Sequence, residues 1–254
     1  MTSMAFIACI ATEAGMTNSR NEDIAMETNE LIERLAHRTG PVRRMPAPWR
    51  RAALWLSVSL AYGGVVVAAL LIKNGLPGAI DLRLVVEQLA ILATAVLAAF
   101  AAFSSTVPGR DRRIGLLPLI PFTIWLASLG TSCLNDWLRL GADGLAVRSD
   151  WECAPAGLLL SVVPAAAMVA MLRRGVPLTP RFTLALGALS SAALVNFGLR
   201  IFHAGDISVM VLAWHFGALV LMAALGGQFG RVVLNWRALA ARSGVVGSRI
   251  VARL

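Results

Sequence analysis

Six long apolar runs, nearly free of charged residues, limit what this sequence can fold into. Each has about 20 residues, which as an α-helix rising about 1.5 Å per residue crosses a hydrocarbon core of roughly 30 Å. Short segments containing Gly, Pro and charged residues separate the runs. Such runs make a soluble helical bundle a poor alternative. We therefore predict an all-α, polytopic membrane protein, a bundle of six transmembrane helices at 52–72, 84–106, 114–133, 154–172, 182–202 and 208–230.

The composition supports a membrane protein. Of the 254 residues, 57% are apolar and 15% are charged, whereas soluble domains average about 45–50% and about 25%. A net charge of +9 would ordinarily suggest nucleic-acid binding. Here the basic residues lie in short stretches between the apolar runs, where they set membrane topology. We predict a lipid bilayer as the environment and no direct nucleic-acid binding.

The distribution of basic residues predicts the orientation. With six spans, 18 of the 23 Lys and Arg residues fall on the side that holds both termini, and five fall on the other side. An excess of basic residues marks the cytoplasmic side. We therefore expect a bacterial inner-membrane protein whose N- and C-termini are both cytoplasmic.

The chain divides into four predicted segments. Residues 1–25 contain a short apolar patch without a preceding basic residue, which is not a signal-peptide pattern. We expect a disordered leader there, with Met26 as an alternative start of translation. A cytoplasmic segment at 26–51, the six-helix domain at 52–232 and a cytoplasmic tail at 233–254 follow.

A short amphipathic helix is predicted from Met26 to about Ala36. Leu31, Ile32 and Leu35 fall on one face. A helix of about ten residues is marginal alone, so this face needs a membrane surface, lipid headgroups or a partner protein to pack against. Prolines and a glycine then predict an extended linker, PVRRMPAPWRR, that leads into the first span.

Two cysteines are predicted at the outer face. Cys133 ends the third predicted span and Cys153 begins the fourth, on either side of the long outer loop. Such a pair can form a disulfide in an oxidising periplasm or bind a thiophilic metal. The alternative is two unrelated small residues at helix ends. We expect no resident cofactor; a metal ion bound at these thiols would be transient.

Two histidines lie near the same face. His203 begins the last outer loop and His215 lies about two turns into the sixth predicted span. One interpretation adds both to the cysteines as accessory ligands. The other, which we favour, has His215 hydrogen-bonded between helices and Arg200 paired with Asp206 or reaching outward to water. We expect Glu87, near a span end, to reach headgroup water.

The sequence contains no metalloprotease, P-loop or nucleophile-elbow motif, so we predict that the protein is not an enzyme. One alternative function is a small metal transporter or permease subunit that captures an ion at the outer thiols. It predicts a polar path through the bundle, and ionisable residues in the middle of the spans are scarce. Another is a structural membrane subunit without a sensory role.

Several short segments together resemble a known family. They are METNELIERLA, PVRRMPAPWRRAALWL, GTSCLNDWL, MLRRGVPLTPR and LRIFHAGDISVMVLAWH. In order and spacing they resemble the NrsF-like membrane anti-sigma factors, six-span bacterial proteins that hold an extracytoplasmic-function (ECF) sigma factor at the inner membrane. The resemblance extends from about Met26 to Trp236.

The resemblance implies two working parts. The cytoplasmic segment at 26–51 would sequester the sigma factor, with Leu31, Ile32 and Leu35 in contact with it. The outward cysteines, Cys133 and Cys153, would sense heavy-metal or oxidative stress and cause release.

Overall fold

The computed structural model describes residues 28–37, 45–74, 82–141, 153–175, 177, 179–202 and 212–234. Residues up to Met45 and residues from Pro46 onward form separate compact units. The described part is helical and contains no β-strand, which confirms the all-α prediction. Its helices are α1 (28–37), α2 (Pro48–Asn74), α3 (Leu82–Ser104), α4 (Leu119–Leu140), α5 (Cys153–Arg173), α6 (Pro180–Phe202) and α7 (Gly217–Val233).

Five helical segments are long and apolar enough to span a membrane: Pro48–Lys73, Leu82–Ser104, Arg113–Leu140, Pro155–Arg173 and Pro180–Ile201. The apolar helix α7 is shorter, at 17 residues, and a π-helical turn, Leu212–Phe216, runs directly into it. Large apolar side chains such as Val65 and Ile72 on α2 and Ile120 on α4 are exposed. Outward apolar side chains on long helices are typical of a membrane protein.

The two central helices of the bundle are α3 and α6, which are also the most buried. They pack against each other; α4 packs on α3, α7 packs on α6, and α5 packs on α6 and α2. The least buried of the five span-length helices is α2. The helices that carry Cys133 and Cys153 therefore contact different members of the central pair.

Helices α6 and α7 approach closely at two glycines four residues apart. A Cβ atom at Gly230 would lie 2.5 Å from the carbonyl oxygen of Pro180, and one at Gly226 would lie 2.9 Å from that of Leu184. Small residues at this spacing let two membrane helices bring their backbones together. Hydropathy and helical spacing alone do not single out this pair.

Two predicted boundaries were wrong. The third span was placed at 114–133, whereas α4 continues to Leu140 and ends where Gly141 adopts a positive φ of 61°, a conformation that glycine permits. The linker was expected to remain extended through Arg51, whereas α2 begins at Pro48. Proline suits the first position of a helix because its missing N–H has no helical acceptor there.

Candidate functional site

The first candidate surface is the apolar face of α1. Leu31, Ile32 and Leu35 are 56%, 58% and 55% exposed, and the helix at 28–37 places them on one face as the sequence predicted. On its polar side, Arg34 forms an ion pair with Glu30. Three large apolar side chains exposed on one short helix form a compact surface for a protein or lipid partner.

The second candidate surface lies around Cys133. Because α4 extends to Leu140, the cysteine lies about two turns before the end of the helix rather than at its end. The residue is half-buried and its thiol is free. Arg83 on α3 and Asp136 on α4 are close enough to act electrostatically on the thiol. The thiol therefore has one basic and one acidic side chain as electrostatic neighbours.

The structure describes only the backbone of the second predicted cysteine, Cys153. The backbone of Cys153 begins α5, but its side chain lies outside the described residues, as does all of His203. Within the described part of the chain, no group of three or more His, Cys, Asp or Glu residues is arranged to hold a metal ion. The predicted Cys133–Cys153 pair and its accessory ligands therefore stay predictions.

His215 lies in the π-helical turn and contacts α6. Its Nδ1 atom is 2.8 Å from Oδ1 of Asn196. If the ring donates from Nδ1 to that oxygen, Nε2 is the nitrogen that carries the lone pair. This contact corresponds to the interhelical hydrogen bond that we favoured for His215, and it also fixes the ring orientation as a metal-ligating histidine requires.

A buried ion cluster that includes Arg83, the arginine near Cys133, was not predicted from the sequence. Glu87 on α3 is 1% exposed. Its carboxylate accepts hydrogen bonds from Arg83, at 3.0 Å, and from Arg200 on α6, at 3.3 Å. The expectation that Glu87 reaches headgroup water was therefore wrong, because its side chain points into the interface between α3 and α6. The four-residue spacing of Arg83 and Glu87 could have indicated their pairing.

Glu87→Gln is expected to lower the stability of the purified protein in detergent by about 3–5 kcal/mol, because it removes the carboxylate that holds a buried guanidinium. Thermal unfolding followed by circular dichroism measures the change. Glu30→Gln is the matched control, because Glu30 also pairs with an arginine four residues away but on an exposed surface, where a pair contributes about 0–1 kcal/mol. Equal, small shifts for both variants would contradict a stabilising role for the buried pair.

Together these features define a class: a protein of the membrane type whose described part is helical, with an exposed apolar helix face near the start of its sequence and a buried ion cluster inside the bundle. Within that class, the sequence matches the family NrsF, described as negative regulator of sigma F, over residues 35–236. The chain belongs to this family, which is one of regulators rather than enzymes. No curated protein and no solved structure gave a significant match.

Proposed function

We propose that this protein is a membrane-bound anti-sigma factor that holds an ECF sigma factor at the cytoplasmic face of the bacterial inner membrane. The family match, negative regulator of sigma F, carries the proposal because it implies a sigma factor as the protein partner. The five span-length apolar helices support a membrane location, and the exposed face of α1 supplies a surface for the partner.

In this proposal the π-helical turn and α7 together make the sixth span, with both termini in the cytoplasm. An even number of spans returns the chain to the side on which it began. The excess of basic residues on the side of the termini supports that orientation. The segment at 26–51 then lies beside the cytoplasm, where a sigma factor is found.

Sequestration rests on apolar burial. Burying Leu31, Ile32 and Leu35 against the sigma factor contributes about 1.5–3 kcal/mol for each side chain that becomes fully buried. An isolated helix of ten residues is marginal in water, so the contact also stabilises the helix. The affinity therefore depends on both the partner and the conformation of this segment.

Release is proposed to begin at Cys133 and Cys153 on the outer side. Binding of a thiophilic metal, or oxidation of the two thiols to a disulfide with loss of two electrons and two protons to the oxidant, draws α4 and α5 toward a new arrangement. Both helices pack on the central pair, so a change at the thiols alters the bundle. A coupling of about 1–3 kcal/mol changes the sigma affinity by about 5–150-fold.

Transcription in cells tests the proposal. Deleting the gene is expected to raise transcription from promoters that depend on the ECF sigma factor, and restoring the full chain is expected to lower it again. Metal uptake into vesicles is measured in parallel, because the alternative function, a metal transporter or permease subunit, predicts uptake that depends on this chain. Uptake without any change in transcription would contradict the anti-sigma function.

A further inference from the structure

Three side chains of α2 donate hydrogen bonds to backbone carbonyls of α5. Arg51 donates to Met171, Trp55 donates to Pro164 at 2.9 Å, and Tyr62 donates to Leu159 at 2.7 Å. The donors extend about 16 Å along α2. We call this line of contacts the α2–α5 seam. Because α2 is the least buried span-length helix, these bonds hold a helix that has little other packing.

Arg51 is the end of the seam nearest the N-terminal segment. It is 6% exposed, its Nη1 donates to Thr106 Oγ1 at 2.9 Å, and its guanidinium lies 4.7 Å from the ring centroid of Phe103. A charged side chain held in this way joins the first turn of α2 to the ends of α3 and α5.

The other end of the seam leads to the cysteine of α5. This helix begins at Cys153 and reaches Leu159 within two turns. Pro164 interrupts its hydrogen bonding, because proline has no N–H for the carbonyl four residues earlier. Helices kink most readily at proline, and carbonyls on both sides of Pro164 accept hydrogen bonds from α2.

An underpacked region beside the seam gives α2 room to move. A partly open apolar pocket of about 110 Å³ lies between α2, α5 and α6, with Ser59, Gly63 and Leu160 among its lining residues. Ser59 is 1% exposed and its hydroxyl has no hydrogen-bond partner among the described residues. A Cβ atom at Gly63 would meet nothing within 4 Å. The lining side chains therefore have few packing partners on the pocket side, which leaves α2 less firmly held there.

From these contacts we infer that Arg51 is a positioning residue, which transmits movement of α5 along the α2–α5 seam to the segment that binds the sigma factor. The inference rests on the proposed function. Arg51 lies inside the predicted sigma-binding segment at 26–51, but its side chain is directed into the bundle and not toward a partner. Its role is therefore release of the sigma factor rather than binding.

Arg51→Gln is expected to keep sigma binding and lose release. The wild-type chain should co-purify with the sigma factor from untreated membranes, and cadmium ions or diamide should raise a sigma-dependent reporter about 5–150-fold. In Arg51→Gln the same treatments should raise it less than about twofold. Arg113→Gln is the control, because Arg113 is equally charged and exposed but lies outside the segment at 26–51; it should behave as the wild type.

A second variant acts on the cavity and leaves the charge unchanged. Gly63→Leu fills the empty space beside the seam and should also abolish induction while leaving sigma binding intact. Gly130→Leu on α4 is its control, because a side chain there is also unobstructed but lies on an exposed surface. If Arg51→Gln fails to accumulate in membranes, Gly63→Leu decides the question.

The outcomes separate the two proposals. If the wild-type chain holds no sigma factor, the proposed function is wrong and the transmission pathway is wrong with it. If the wild type binds and releases the sigma factor, and Gly63→Leu and membrane-inserted Arg51→Gln release it equally well, only the seam is contradicted. Arg51→Lys keeps the charge but lacks the planar guanidinium that donates to two acceptors at once. Partial induction in this variant would support a role for that hydrogen-bond geometry.

Discussion

A chain with Leu31→Gln and Leu35→Gln is expected to lose its hold on the sigma factor and to leave the sigma-dependent reporter fully active without stress. Both side chains are more than half exposed on one face of α1. Replacing them removes about 3–6 kcal/mol of apolar burial from the proposed interface, which lowers the affinity by at least about a hundredfold. Co-purification from membranes and basal reporter activity measure the effect.

The control for this variant uses the opposite face of the same helix. Glu30→Gln with Glu33→Gln introduces the same residue type at two positions and leaves the apolar face unchanged. It should bind the sigma factor as the wild type does. If both double variants retained the sigma factor, the binding surface would lie elsewhere on the chain. If both lost it, the helix as a whole rather than its apolar face would carry the interaction.

The second large effect, loss of sigma release, is expected when both outer cysteines are replaced. Cys133→Ser with Cys153→Ser should bind the sigma factor normally but fail to release it with cadmium or diamide, so that induction falls from about 5–150-fold to less than about twofold. A serine hydroxyl neither forms a disulfide nor binds soft metals as a thiolate does. The reporter measures release, and immunoblots of membranes establish that the variants accumulate.

Cys9→Ser is the matched control, because Cys9 is the third cysteine of the chain and lies in the predicted leader. Each single variant, Cys133→Ser and Cys153→Ser, should be as unresponsive as the double variant if the two thiols act as a pair. Response in one single variant would indicate that one thiol senses alone. Normal release in the double variant would show that neither cysteine is needed for release.

The sequence predicted the helices well because each long apolar run is a direct consequence of spanning lipid. The positions of α3, α5 and α6 agree with the predicted spans within two residues at either end. The end of α4 was misplaced because the residues that follow Cys133 include Asn135, Asp136 and Arg139, which lower the hydropathy without stopping a helix. Only Gly141 stops it. Hydropathy therefore located the apolar core of this helix and missed its polar end.

Contacts between helices could not be predicted from the sequence. Glu87 and Arg200 are 113 residues apart, and Arg51 bonds to a carbonyl 120 residues away. Their pairing depends on which helices become neighbours, and hydrophobic periodicity carries no such information. The exposed face of α1 was predictable because it depends only on local helical spacing. The resemblance to the family, confirmed over residues 35–236, indicated the class of regulator, which local residue patterns do not indicate.

The most direct test of the account is purification of the full chain from its own membranes in mild detergent, with mass spectrometry of the proteins that co-purify. We predict an ECF sigma factor in stoichiometric amount from unstressed cells, lost after cadmium treatment and absent from the Leu31→Gln, Leu35→Gln variant. A wild-type chain that is intact and abundant but carries no sigma factor would contradict the central claim.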